Sequence, residues 1–291
     1  MNKQLPIPEA AKAAGMTTLV FEDDFDSMDT IDINATHEPG YKWYPDAYGC
    51  RLTSDYIYQK DSYIHMGGPQ PKAYGLVSYS KQLDAGYLAT CGCYLECRMR
   101  AAMPIGEYGG IPAFWTMGVA DFMGRPWEHV GELDVVELFV TKNKQDEDQK
   151  YFAGTLHDHY LTGNVREDGR PEKKTGTNMV NACGYLDQFP FTDDDWHTYG
   201  ALWETGRITW YMDGVKMHSI EYSADALPEC FYRDDPTPLP PAETVWPNSA
   251  VLKDRRWVGA HTVMDTDEEV VFLTSRETYA MDVDWVRIWR V

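Results

Sequence analysis

One run of residues constrains this chain more than any other: Glu132-Leu133-Asp134-Val135-Val136-Glu137. It predicts a β-strand, because Leu133, Val135, Val136, Leu138, Phe139 and Val140 are apolar and mostly favour extended backbone. Successive side chains point to opposite faces, so Glu132 and Asp134 share one face while Leu133 and Val135 share the other. Strict alternation sends Glu137 to the apolar side. One extra residue, a β-bulge near Val135–Val136, returns it to the acidic face. Three carboxylates then project into one place, where like charges repel and at least one pKa rises. The alternative is a solvated acidic strand face without chemistry.

Glycoside hydrolysis needs such a set. A retaining glycosidase uses one ionised carboxylate as nucleophile and one protonated carboxyl as acid, roughly 5–5.5 Å apart. Glu suits both ends of the run, since two long side chains can lean together. Asp134 is shorter; between them it can hydrogen-bond the nucleophile and keep the two in different protonation states.

Glu-x-Asp-x-x-Glu on a strand resembles the signature of glycoside hydrolase family 16, which includes laminarinases, lichenases, agarases and carrageenases, and other segments match in order. Phe21-Glu22-Asp23-Asp24-Phe25 resembles the family's first strand. Gly109-Gly110-Ile111-Pro112-Ala113-Phe114-Trp115 resembles its "W-P-A-F-W" strand, with Ile111 in place of the first Trp. Trp127 and Gly131 match "W-P-x-x-G-E", although Glu128 stands where many relatives have Pro. Trp196-His197-Thr198-Tyr199-Gly200-Ala201-Leu202-Trp203 and Ile208-Thr209-Trp210-Tyr211-Met212-Asp213-Gly214 resemble its "F-H-x-Y-x-x-x-W…I-x-W-Y-x-D-G" hairpin. Val283-Asp284-Trp285-Val286-Arg287-Ile288-Trp289 resembles its last strand.

The resemblance covers roughly residues 20–291. It implies an all-β jelly-roll sandwich of two curved antiparallel sheets, with a concave face forming the sugar cleft. It also implies Glu132 as nucleophile, Asp134 as its assistant and Glu137 as general acid/base. Trp115, Trp127 and Trp203 are substrate-binding candidates, because aromatic faces stack on pyranose rings, and His157 is another, matching a family position close to the acid/base from which it could hydrogen-bond sugar or tune Glu137. Trp210, Trp285 and Trp289 are expected to be structural. No cofactor is required by this chemistry and no metal ligand is assigned in the site. Asp284 resembles an aspartate that helps bind a structural calcium in many relatives. The Val136 insertion places the chain on the laminarinase, agarase and carrageenase side. The activity implied is an endo-acting retaining hydrolase of β-1,3- or mixed β-1,3-1,4-glucan. The alternatives are a galactan hydrolase (β-agarase, porphyranase or carrageenase) and a non-catalytic carbohydrate-binding protein on the same sandwich.

The rest of the chain is compatible with that fold. At 291 residues, with 23 Gly, 17 Pro, 10 Trp, 19 Tyr and 10 Phe, it suits short strands joined by turns. Residues 1–16 read as a lead-in, short helix or disordered, and 17–291 as one catalytic domain. The Pro-rich segment 225–256 reads as an inserted loop. A net charge of −20 argues against a nucleic-acid partner and favours a neutral glucan over a sulfated polymer. No stretch approaches the roughly 20 apolar residues of a membrane helix, and the start of the chain lacks a secretion signal. A polymer-cutting enzyme is usually exported, so the chain is expected to be secreted or on the cell surface with its signal absent; a cytoplasmic location is the alternative, and a monomer is expected. Cys91, Cys93 and Cys97 are expected on one strand, Tyr87 to Arg100, as free thiols filling apolar space.

Overall fold

A computed structural model describes residues 6–48, 55–67, 74–102, 111–127, 129–142, 148–165, 171–174, 180–185, 195–223, 233–234, 255–256, 260–261, 264–275 and 280–291. Two large sheets dominate them, and the architecture is the all-β jelly-roll sandwich.

The eight-stranded sheet carries the acidic run. Its path is Pro171–Lys174, Asp148–Val165, His129–Lys142, Ala113–Gly118, Glu268–Ser275 and Tyr74–Val77; Val180–Tyr185 and Leu88–Thr90 pair at its sides. His129–Lys142, the acidic strand, is therefore hydrogen-bonded along both edges. The nine-stranded sheet includes Arg207–Met212, His197–Glu204, Cys93–Ala101 and Met281–Arg290 as neighbours, and Thr18–Asp23 pairs antiparallel with Met281–Arg290. The first and last long strands of the chain thus lie side by side.

Between the sheets, period-two alternation sorts the side chains. Leu133, Val136 and Leu138 of the acidic strand meet Tyr199, Ala201 and Trp203, and Ile208, Trp210 and Met212, from the other sheet in one core. The turn joining Arg207–Met212 to Val215–Ser223 has both central residues left-handed, Asp213 at φ 49° and Gly214 at φ 75°. That is the twist a two-residue hairpin needs.

The cysteine stretch differs from its sequence reading. Leu88–Thr90 pairs in the eight-stranded sheet and Cys93–Ala101 in the nine-stranded one. Gly92, at φ 85°, lies in the turn between them. Cys91, Cys93 and Cys97 are free thiols, the last two fully buried.

In the lead-in, Glu9–Ala13 forms a short helix that sets Ala11 and Met16 against Tyr94, Leu202 and Trp289 on the outer face of the nine-stranded sheet. The segment 225–256 lies outside the described residues except for the short pair Arg233–Asp234 and Arg255–Arg256. No helix among the described residues is long and apolar enough to cross a membrane.

Candidate active site

The register of the acidic strand decides where its carboxylates go. Asp134 stands opposite Thr155 and Glu137 opposite Ala153, so Val135 and Val136 together face the single residue Gly154. Toward the other neighbour, Asp134 pairs with Trp115 and Val136 with Phe114. This two-against-one pairing is the β-bulge expected at Val135–Val136. Both valines are buried in the core, and Glu137 returns to the face that carries Glu132 and Asp134.

The bulge is fixed from the opposite sheet. Trp210 donates its indole Nε1–H to the Asp134 carbonyl at 2.9 Å. Its ring fills the space over Gly154, where a Cβ would fall 2.2 Å from Trp210 Cδ1. A residue with a side chain at 154 would displace the indole from the bulge.

One cleft is lined by Glu132, Asp134, Glu137, His157, Trp115, Ile111, Ala113 and Thr274. It gathers the three carboxylates with two of the four substrate-binding candidates. His157 stands opposite Glu132, and its Nε2 lies 3.0 Å from Asp134 Oδ2. Asp134 is 3% exposed, and that hydrogen bond helps to offset the burial of its carboxylate. Donor atoms of Glu132, Asp134 and His157 fall within 4.8 Å of one another. The Asp134–His157 hydrogen bond brings two of the three together.

Trp115 is packed into an aromatic layer on the cleft side of its sheet. Its ring stacks on Phe272 at 4.2 Å between centroids, Tyr48 stacks on Phe272 at 5.5 Å, and Trp115 Nε1 donates to Thr274 Oγ1 at 2.9 Å. Burial pushes the Tyr48 phenol up, with Asp121 and Glu132 adding to the effect. Trp127 is partly buried beside this layer, its Nε1 held at 3.1 Å by Asp121 Oδ1, and it is not among the residues lining the cleft.

Trp203 requires a correction. It is 0% exposed and faces the inter-sheet core, donating to Tyr222 Oη at 3.2 Å. A side chain between the sheets does not reach a sugar in the cleft. Trp210, Trp285 and Trp289 are buried. Asp284 is also held differently from the calcium expectation. Its Oδ2 accepts from Arg98 Nη1 at 2.6 Å, and a guanidinium there supplies the positive charge and repels a divalent cation.

Sequence reasoning did not assign Ile111, Ala113 or Thr274 to the site. Ala113 follows from alternation, since it shares a face with Trp115. Thr274 comes from a strand far along the chain, which pairs with Ala113–Gly118 through contacts that no local pattern announces.

The family signature is now matched by its geometry, and a sequence model of the family described as glycosyl hydrolases family 16 matches residues 81–267. The chain belongs to glycosyl hydrolase family 16.

Relatives of this family-16 chain differ in what their names say they act on. It is 28% identical over 147 residues to the endo-1,3-1,4-beta-glycanase ExsH of Rhizobium meliloti (strain 1021), covering 50% of this chain and 25% of that protein. It is 30% identical over 125 residues to the kappa-carrageenase of Pseudoalteromonas carrageenovora, covering 42% of this chain and 28% of that protein. The match thus spans about a quarter of the length of these curated relatives. Among solved structures, the laminarinase catalytic domain of Thermotoga maritima MSB8 superposes with a TM-score of 0.55 at 16% identity, covering 94% of this chain and 98% of that one. At that identity the likeness concerns the fold.

Proposed function

We propose that this family-16 protein is an endo-acting retaining β-glycosidase, and that its polymer is a β-1,3- or mixed β-1,3-1,4-glucan. The observation that carries the mechanism is the bulge-corrected placement of Glu132, Asp134 and Glu137 on one cleft. A pure binding protein has no need of three mutually repelling carboxylates in its sugar groove.

Glu132, ionised, attacks the anomeric carbon as the glycosidic bond breaks, and Glu137 gives its proton to the departing oxygen. The glycosyl group is then esterified to Glu132. Glu137, now a carboxylate, takes a proton from water, whose oxygen attacks the anomeric carbon and frees Glu132. Asp134 and His157 orient the set: their hydrogen bond fixes the carboxylate between the two glutamates. Every proton is carried by the chain's own carboxyls and by water.

The glucan assignment rests on charge. Among the described residues no Lys or Arg lines the cleft, and the whole chain carries −20, which suits an uncharged polymer better than a sulfated one. The kappa-carrageenase relative favours a galactan as the second reading. Intact polysaccharides do not cross membranes, so the proposed place of action is outside the cell.

The test is a reducing-sugar assay on laminarin, barley β-glucan, agarose, porphyran and kappa-carrageenan, with Glu132→Gln and Glu137→Gln in parallel. Release from the glucans that disappears in both variants supports the full reading. Release from galactans alone keeps the mechanism and replaces the substrate. Variants that turn over at the wild-type rate on a cleaved polymer remove the catalytic assignment.

A further inference from the structure

We propose that Glu269 is a positioning residue for Glu132, supporting the acidic strand from the core side immediately before and after that glutamate. The inference rests on Glu132 being the nucleophile.

Glu269 belongs to the strand Glu268–Ser275. Val270, Phe272 and Thr274 turn to the cleft side, while Val271 and Leu273 enter the inter-sheet core. Alternation puts Glu269 with the latter, and it is 0% exposed. A carboxyl in such a place is costly unless it is neutral and hydrogen-bonded.

Its Oε2 reaches the acidic strand through Thr116, and Oε1 is packed behind Gly131. Oε2 is hydrogen-bonded to Thr116 Oγ1, and the same hydroxyl lies 3.4 Å from the Leu133 carbonyl. A threonine hydroxyl has one proton to give. Glu269 Oε2 takes that proton, and the Leu133 carbonyl stands at the outer limit of the same hydroxyl's reach. Oε1 lies behind Gly131: a Cβ there would stand 2.8 Å from Glu269 Oε1 and 2.2 Å from Met264 Sδ. Gly131 N–H is itself held by Asp267 Oδ2 at 2.6 Å. Gly131 and Leu133 are the chain neighbours of Glu132, so this buried carboxyl packs behind one of them and reaches the other through Thr116.

The groups around Glu269 favour the neutral form. Burial is the largest influence on its pKa, raising it well above the ordinary carboxylate range; Asp267 adds to this, Thr116 opposes it, and Glu132 and Asp134 add again. Met264 supplies apolar packing and the Gly131 N–H is spent on Asp267. Neutral Glu269 holds the strand without adding a third charge behind Glu132 and Asp134.

Glu269→Leu, Thr116→Val, the double variant and Glu269→Gln test this, on whichever polymer the wild type cleaves and Glu132→Gln does not. Loss of the prop is expected to lower kcat by between roughly tenfold and 100-fold, with KM held within about twofold. The double variant is expected to lose no more than the worse single one, because both remove one relay. Glu269→Gln, whose amide oxygen still accepts from Thr116, restores most of kcat. Single variants within about twofold of wild type, losses that multiply in the double variant, or Glu269→Gln as impaired as Glu269→Leu would overturn the proposal.

If the wild type cleaves none of the polymers, the readout is the Glu132 carboxyl ¹³C resonance, identified by its absence in Glu132→Gln. It is expected to move in Glu269→Leu and to stay in place in Glu269→Gln. An unmoved resonance in both would refute the proposal independently of any substrate.

Discussion

The Trp210 indole and the Asp134 carbonyl are joined across the sandwich by a hydrogen bond of 2.9 Å. Trp210 is fully buried on a strand of the nine-stranded sheet, whereas Asp134 lies at the bulge of the other. A bulge interrupts the regular ladder, so a carbonyl beside it needs a partner from elsewhere. Trp210 supplies that partner and couples the core to the position of Glu137. Trp210→Phe keeps most of the apolar volume and removes the donor. It is expected to cost about 1–3 kcal/mol in urea unfolding. Activity is expected to fall further than the unfolded fraction explains, because the bulge loses its tether.

Gly154 is the other side of the same contact. A Cβ at this position would fall 2.2 Å from Trp210 Cδ1 and 2.4 Å from Nε1, both atoms of a fully buried ring. Gly154→Ala is therefore expected to destabilise by about 1–3 kcal/mol, as overpacking does in a dense core. The thermal midpoint checks this. A midpoint equal to wild type would mean that the indole moves aside freely.

Much of this fold is legible in local pattern. The strand of Glu132 to Glu137, its bulge and the Asp213–Gly214 turn each follow from alternation or turn chemistry within a few residues. The inward direction of Trp203 was also available, since Tyr199, Ala201 and Trp203 repeat at period two and enter one core. Alternation and family position point in opposite directions for Trp203, and the packing follows alternation. Thr274 and Glu269 are different. Their places depend on Glu268–Ser275 pairing with Ala113–Gly118 across a long stretch of chain. Nothing near residue 269 in sequence announces that its carboxyl will lie behind Glu132.

Arg98 holds the Asp284 carboxylate at which the resemblance implies a calcium. Arg98 also lies over the Trp196 ring, 5.0 Å from its centroid, and its side chain is 37% exposed. A chelator is accordingly expected to leave the melting temperature within about one degree of the untreated protein, since only a bound ion makes stability depend on its removal. Arg98→Leu is expected to cost about 0.5–1 kcal/mol, the modest worth of a partly solvated pair. A large chelator-induced drop in melting temperature would place a stabilising metal elsewhere in the fold.

Cys93 and Cys97 are both fully buried, and burial raises both thiols above their ordinary value. Thiolate is the reactive form, so both are doubly protected in the native state. Cys91 is partly exposed. Iodoacetamide labelling of the folded protein, followed by peptide mass spectrometry, is expected to find Cys93 and Cys97 unmodified until denaturant is added. Cys91 should react sooner, slowed by its own partial burial, which also raises its pKa. Labelling of Cys93 before unfolding would show that the Leu88–Thr90 edge opens readily.

Glu96 makes stability depend on pH near neutrality. It is 7% exposed and accepts from Tyr94 Oη at 3.2 Å. Burial pushes its carboxyl from 4.5 to about 7, against the lowering influence of Tyr94 and Arg287. A raised carboxyl favours the fold while it is protonated. That contribution is complete below the unfolded value of 4.5 and disappears as pH rises through about 7. The amount at stake is on the order of 3 kcal/mol, from about 1.4 kcal/mol per pKa unit. Glu269 has the same sign, so the wild-type curve alone does not isolate Glu96. The difference between wild type and Glu96→Gln does. Its melting temperature is expected to fall less than wild type between pH 5 and pH 8. Parallel curves over that interval would mean that Glu96 is already ionised in the folded protein at pH 5, with Arg287 as its effective partner.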